Sequence, residues 1–586
     1  NTQFGNVTLP GSGSGNLPTV TGTVTIGNNT LVSGLEINPT AAEIVLNIPR
    51  AAEALVAREP VNGIVARGEN ITIEDNVITN VDRGINLTDI DGTVAIVRNQ
   101  LSNVLTDGIS FGDIDGTDNA TITVADNTLD TVGSGKNGRG IEFGVIEGDS
   151  TANITVTGNQ LADVQDDNIF FGDIQGSANA TIVVSENVLE SGSNGVEFND
   201  IENDANADIT ISNNQINNVT FEGIDFLDIE NDTVATILIE NNQVTSGQTS
   251  IDLGNIENNA NANIAIVGNT LTSEKRGGIF INDFEDGTVS NILISDNTIL
   301  GIDEEGIQID AIEDDANATI EILNNQISNT GEEGIFFDEI QDRATAAITI
   351  NGNTINSAGS DGISFNEIED DANATATVTN NTITDAGNNG INFNEIDNDA
   401  NVAVTVADNT IANPGGDGVR INHRNDIELA AELEEVLPRI EPVVSATVTG
   451  NSITNAGGDG VSIEHTSAND LCLALDNNTV SEPGSDGFEL QSNGRGQFQV
   501  VNLANVTERN VGSFNPVDIE TNEDFENGTA GEIPCLWWPC LLSLILGAYA
   551  TSKGLVDTTG NSDICIRGLH RTLWQQVSHK LAILSL

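Results

Sequence analysis

Apolar and polar residues alternate with period two in three short runs that recur along most of the chain. Residues 353–381 hold one full set. Ile355 lies in the first run, Gly362-Ile363-Ser364-Phe365 forms the second, and Ala372-Asn373-Ala374-Thr375-Ala376-Thr377-Val378 forms the third. A period of two is the mark of a strand with one face buried. Gly, Asn and Asp separate the runs, as turns require. No run within the repeat has the 3.6-residue period of a helix. The pattern predicts that Ile355, Ile363, Phe365, Ile368, Ala376 and Val378 point inward.

Each unit begins at an asparagine followed two residues later by Ile, Leu or Val. The anchors are Asn76, Asn99, Asn127, Asn159, Asn187, Asn214, Asn242, Asn269, Asn297, Asn325, Asn353, Asn381, Asn409, Asn451 and Asn478, and from Asn159 to Asn409 they stand 27 or 28 residues apart. Three short strands cannot bury a core alone. Coiled so that each pairs with its counterpart one turn on, they form a solenoid whose units contact only their neighbours. The predicted fold is all-β, a single-stranded parallel β-helix of about fifteen or more coils. At about 4.8 Å per turn it is a rod of roughly 70 Å. The asparagines are expected to form an internal hydrogen-bonded ladder. The repeated glycines, such as Gly334 and Gly362, mark a bend that needs positive φ or close approach.

Short strands, an Asn column and Gly-Ile-x-Phe…Asn-x-Ile units resemble the right-handed parallel β-helix repeat proteins of the pectate-lyase-like superfamily, over residues 20–495. The resemblance and the usual crossover rule imply a right-handed coil. They also imply a wide choice of activities: lyases, hydrolases, phage tailspikes, adhesins and surface proteins. Pectate lyases join acidic calcium ligands to a basic Arg or Lys. Polygalacturonases carry Gly-His-Gly and Arg-x-Lys elements, and neither Gly-His-Gly nor Arg-Ile-Lys occurs here. Phenylalanine is expected to face inward, away from any sugar. The lyase version requires a cleft with one basic residue in reach of three or more carboxylates, and its absence would sink that version.

Residues 1–60 read as an irregular N-terminal coil and cap, with Ala51–Arg58 as a short capping helix. Residues 61–495 form the helix proper, with insertions near 131–139 and 424–440. The second insertion contains an Ala/Glu/Leu run over 426–437 that reads as a helix stopped by Pro438. Residues 496–534 read as a cap or return segment. Residues 535–586 differ in composition, holding all three Trp and three of the four Cys. They read as an anchor or docking segment, as a non-native end, or as an ordinary cap. Leu536–Ala550 is short for a membrane span. Cys472 and Cys535 either form a disulfide tying the tail to the last coil, as an oxidising compartment allows, or remain free thiols. The absence of Met makes Asn1 a processed terminus, and removal of a secretory signal is the simplest cause.

Charge narrows the partners. With 19 Lys plus Arg against 89 Asp plus Glu, the formal net charge is −70. Nucleic acid and anionic membranes are excluded as natural partners; cations and a screening, salty medium are favoured. Unit alignment stacks Asp89, Asp113, Asp173, Asp200, Asp228, Asp283, Glu339, Glu367 and Glu395 in one column after the Gly-Ile-x-Phe strand. Like charges one rung apart repel by about 1 kcal/mol even at water-like dielectric. Such a file must be solvated, screened or bridged, and oxygen-rich loops suit Ca²⁺. Neither an EF-hand loop nor a Gly-Gly-x-Gly-x-Asp nonapeptide is present. At the end of the column the acid becomes His423, then His465, a candidate transition-metal or acid–base site or simply two solvated imidazoles. On the strand before each Asn, outward Val183, Leu238, Ala265 and Leu293 form a candidate lateral contact.

The leading expectation is a secreted, non-enzymatic surface, matrix or fibre protein with acidic cation-binding loops, assembling with itself or with extracellular polysaccharide. A polysaccharide-active lyase or glycoside hydrolase is the alternative. A phage-type fibre is a third.

Overall fold

In the computed structural model, the described residues are 17, 19–38 and 61–527, interrupted at 136–137, 398–399, 425–443, 468, 493–497, 502–506, 510–516 and 522–524. Every element among them is a strand, and all pairings are parallel. Fifty-four strands divide into three sheets of eighteen. We name them by character. The broad sheet holds strands of up to seven residues, such as Asn373–Thr379. The short sheet follows it, with strands such as Thr354–Ala358. The glycine sheet completes the coil, with strands such as Ile363–Ile368. Each strand pairs with its equivalents one coil away, so Ile335, Ile363 and Ile391 stack in register.

The period-two pattern predicts the core correctly. Ile355, Ile363, Phe365, Ile368, Ala376 and Val378 are all buried. Like side chains stack on like. Phe111, Phe143, Phe171, Phe198 and Phe226 form one column of parallel rings with centroids 4.5 to 4.7 Å apart. A ring offers its neighbour most of its area at that distance, so the three inner rings are covered on both faces by their own kind, and Leu87 and Leu253 follow at the two ends.

The asparagine ladder runs from Asn76 to Asn478. In the middle, the Oδ1 of Asn297 accepts from the backbone N and the Nδ2 of Asn269, at 2.9 and 3.0 Å. Its Nδ2 donates to Ile266 O at 2.8 Å and to Asn325 Oδ1 at 3.0 Å. Every polar atom of the side chain is used, and the turn closes without water. Of the two reasons weighed for the repeated glycine, close approach is the one that applies. A Cβ on Gly334 would lie 2.6 Å from both Gly362 O and the Cγ2 of Ile355 on the next coil. The ladder stays whole across both insertions: Asn127 N donates to Asn159 Oδ1 at 3.0 Å across 32 residues, and Asn409 N to Asn451 Oδ1 at 3.0 Å across 42. The expected helices at 51–58 and 426–437, the segment 535–586 and Cys535 lie outside the described residues. Cys472 takes part in a disulfide.

Candidate functional site

Three polar arrays run along the rod. The first is the acidic corner. Register places Asp283, Ala311, Glu339, Glu367 and Glu395 on successive rungs. Asp173, Asp200 and Asp228 lie earlier in the same file, each backbone carbonyl accepting from the corner isoleucine of the preceding coil, Ile146, Ile174 and Ile201. These residues stand one per rung and do not converge in threes among the described residues. Convergence occurs two positions further on. Ligand oxygens of Glu257, Glu285 and Asp286 all lie within 4.8 Å of one another, as do those of Glu285, Glu313 and Asp314. Burial and the carboxylates of Glu285 and Glu230 push Glu257 up to about 8. Asp283 is pushed up to about 6 by burial and by Asp310, Glu313, Glu285 and Glu339.

The histidines do not continue this corner. The register shifts after Phe393, so that His423 pairs with Ile396 and not with Glu395. His423 and His465 are in register with each other, and both are fully buried. The reason is the alternation itself. After inward Ile421 the strand runs straight on, Asn422 takes the opposite face, buried there with its Nδ2 donating to Asn394 O at 3.1 Å, and His423 takes the core position that isoleucine fills elsewhere. The solvated-imidazole expectation is therefore overturned. The Nδ1 atoms lie 3.2 Å apart, so one of them carries the shared hydrogen. The Nε2 of His423 has no hydrogen-bond partner, and burial together with His465 pulls His423 down to about 3.

The third array escapes the sequence reading. The middle position of each Gly-Ile-x-Phe strand faces outward on the glycine sheet. Along consecutive rungs it reads Glu142, Phe170, Glu197, Asp225, Asp252 and Phe280, and Phe336 follows two rungs later. The residue just before each glycine lies beside this file. Arg139 from that second column reaches Glu142 at 3.1 Å, Asp167 at 3.1 Å and Asp166 at 4.0 Å. Its guanidinium carbon lies 3.2 Å above the Phe170 ring, an arrangement that favours a cation. Asn194 Nδ2 donates to Glu197 at 2.6 Å and spans to Asp225 at 3.5 Å.

The electrostatics of this groove are unusual for surface acids. Burial, then Asp252, Glu222, Glu197 and Asp167, push Asp225 up to about 8. Burial lifts Asp252 to about 6, against the opposing pull of Thr249 and Arg276. Burial and Glu197 raise Asp167 to about 6. Near neutral pH one carboxyl therefore holds a proton beside another that has lost it, the condition for paired acid–base work. Phe170, Phe280 and Phe336 correct the expectation that phenylalanine faces inward. Reading the x of Gly-Ile-x-Phe as a column, as was done for the corner, would have exposed both acids and rings.

These shifts fix the pH dependence of stability. A carboxyl whose folded pKa is raised adds stability below its unfolded value, near 4, and loses it as pH climbs through the folded value. Asp225, Asp252, Glu305, Glu369 and Glu489, lifted to between about 6 and about 8, should make the rod melt at lower temperature at pH 8 than at pH 5. His423 acts oppositely. Its folded value lies below the unfolded value near 6.5, so stability falls as pH drops from about 6.5 toward about 3. Melting at graded pH, with His423→Ile to remove the acid limb, measures both. A profile flat from pH 5 to 8 would contradict the shielding of the groove.

Val183, Leu238, Ala265 and Leu293 face outward on the broad sheet. The last three occupy consecutive rungs, and Thr210 separates Val183 from them.

Residues 200–368 match a family model described as the right-handed β-helix region. No curated protein and no solved structure matches the chain. Among the described residues no helix is long and apolar enough to cross a membrane. Repeat, sheets and family model agree that the molecule is a parallel β-helix repeat protein.

Proposed function

We propose that this parallel β-helix repeat protein acts outside the cell on a polysaccharide, bound along the glycine sheet and cleaved between Asp225 and Asp252. The observation that carries this reading is the outward file of three consecutive acids, Glu197, Asp225 and Asp252, bracketed by Phe170 and Phe280. The two rings stand four rungs apart, or roughly 19 Å, long enough for several sugar units to lie between them. Arg139, beside Glu142, Asp166 and Asp167, places one cation at the Phe170 end of this file. Acids at the centre repel uronates, so the substrate class is a neutral hexose polymer.

Asp225, protonated at neutral pH, donates to the glycosidic oxygen. Asp252, ionised, adds to the anomeric carbon as the C–O bond breaks. Water, deprotonated by Asp225, then releases the sugar from Asp252. Adjacent rungs are about 4.8 Å apart, near the separation of about 5–5.5 Å that retaining pairs use. Incubation with a panel of neutral polysaccharides should yield new reducing ends whose initial anomeric configuration, read by NMR, is retained. Inversion would exclude Asp252 as nucleophile, and absence of both binding and cleavage across the panel would end the reading.

A second reading rests on the corner, where Glu257, Glu285 and Asp286 place ligand oxygens within 4.8 Å. Bridged by Ca²⁺, which tolerates irregular oxygen sets, the rod serves as a surface or matrix element. Calcium at about 100 times its Kd should stabilise the folded chain by about 2.7 kcal/mol, and Glu285→Gln should remove most of that gain. Identical melting in EDTA and in millimolar calcium would rule it out.

A further inference from the structure

The broad sheet carries almost none of the chain's charge. Eleven seven-residue strands, from Asn119–Ala125 to Asn401–Ala407, pair without a break in register. Each turns its first, third, fifth and seventh residues outward. Of these forty-four positions only Asp208, Glu240 and Glu321 are charged, in a protein of net charge −70. The rest are mainly Asn, Thr, Ser, Ala, Val and Leu, and none is aromatic.

The apolar members gather at the middle. Val234 and Leu238, Ala265 and Val267, and Val289 and Leu293 come from three consecutive strands centred on Asn261–Val267, the sixth of the eleven. Val234 is 43 % exposed and Val289 44 %, large values for valine in an ordered strand. Asn and Thr surround this island, with exposed amides laddered between rungs as in Asn291 to Asn263 at 2.9 Å. An apolar centre with a polar, uncharged rim is the anatomy of a protein–protein contact.

We infer that this face binds a second copy of the same chain, in an antiparallel pair whose twofold axis runs along strand Asn261–Val267. Three observations select that partner. Acidic arrays on the corner and the groove would repel another copy of the rod, whereas this face is neutral and so complementary to itself. The absence of aromatic side chains removes the usual stacking platform for sugars, which the glycine sheet does possess. Finally, the island is symmetric about its central strand. The proposed axis lays Leu238 over Leu293 of the second copy and Val234 over Val289 of the second copy, and Ala265 meets its own equivalent. It also sets Asp208 opposite Thr319, Glu240 opposite Ser295 and Glu321 opposite Thr210, so no carboxylate faces another.

The area suffices. Eleven rungs of about 4.8 Å by seven residues of about 3.3 Å give about 1,200 Å² per copy, or roughly twice that in the pair, above the usual 1,200–2,000 Å² of a stable complex. Sheets meeting face to face about 10 Å apart would interdigitate these side chains.

Sedimentation of the full chain at graded salt tests the inference. The mass should approach twice 61.4 kDa, and should do so at lower protein concentration as salt screens the remaining charge. Leu238→Glu with Leu293→Glu should return the mass to that of one chain without changing the circular dichroism. Ala265→Cys should give a covalent dimer with a short bis-maleimide cross-linker, since facing sheets stand too far apart for a direct disulfide, mapped to residue 265 by peptide mass spectrometry, while Thr405→Cys should not. A single-chain mass at every salt and concentration would overturn the proposal. So would a dimer indifferent to the double substitution, or loss of polysaccharide binding by that variant with no change of mass. Cleavage at Asp225 lies on another sheet, so its failure would leave this result standing.

Discussion

Replacing Asn297 with alanine is expected to destabilise the rod by about 4 to 8 kcal/mol, at the upper end of what a single substitution does. The substitution removes one side chain and breaks four hydrogen bonds. The backbone N–H and Nδ2 of Asn269 lose their acceptor, Ile266 O loses its donor, and Asn325 loses one of the two bonds to its Oδ1. All lie in the interior, where each unmet polar group costs about 1–3 kcal/mol. Asn76 opens the anchor series and, among the described residues, has no asparagine donating to its Oδ1, which accepts from Leu35 N instead, so the same change there breaks fewer bonds of the ladder and should cost less. In a solenoid the loss is felt first by neighbouring coils. Amide exchange should therefore accelerate most within residues 261–330, and urea unfolding should begin at lower concentration. Exchange that rises uniformly along the chain, or a loss below about 1 kcal/mol, would mean that the ladder is not what closes these turns.

Asp225→Asn should lower kcat by about 10² to 10⁴, the range removal of a general acid gives. The reason is the split between two neighbours. With Asp225 near 8 and Asp252 near 6, the productive pair exists between those values, and wild-type kcat/KM should trace a bell across them. The amide keeps shape but cannot deliver a proton, so the alkaline limb should disappear along with most of the rate. Stability supplies an internal control. Asparagine has no charge to bury, so the variant should melt no lower than wild type at pH 8. A variant that keeps its rate and its alkaline limb would remove Asp225 from the chemistry, whatever the substrate.

Much of the architecture is legible without coordinates, because period-two alternation and a 28-residue repeat leave one economical solution. Asn297 and its equivalents announce themselves by spacing, and Phe365 by its partners. What misleads is local counting. Counting from Gly418 puts His423 in the acidic file only if every corner has the same length. The strand there runs straight on, and one missing corner residue carries the imidazole from solvent into the core. The groove was hidden for a different reason. Asp225 and Asp252 are unremarkable among 89 acids; what distinguishes them is shielding by the coils above and below, a property of stacking that no single unit displays. Phe170 and Phe280 were assigned inward because phenylalanine usually is, though their place in the alternation already put them outside.

The uninterrupted bond from Asn409 to Asn451 has a consequence for how such a chain can change. Forty-two residues separate those anchors where 27 or 28 serve from Asn159 to Asn409, yet the interior does not register the difference, since the bond between them closes at the same 3.0 Å as its neighbours. The seam reads whole turns only. Gaining or losing one complete unit would present each remaining asparagine with an identical neighbour, so the molecule's length is free to vary in steps of one rung, while any fraction of a rung would sever the line.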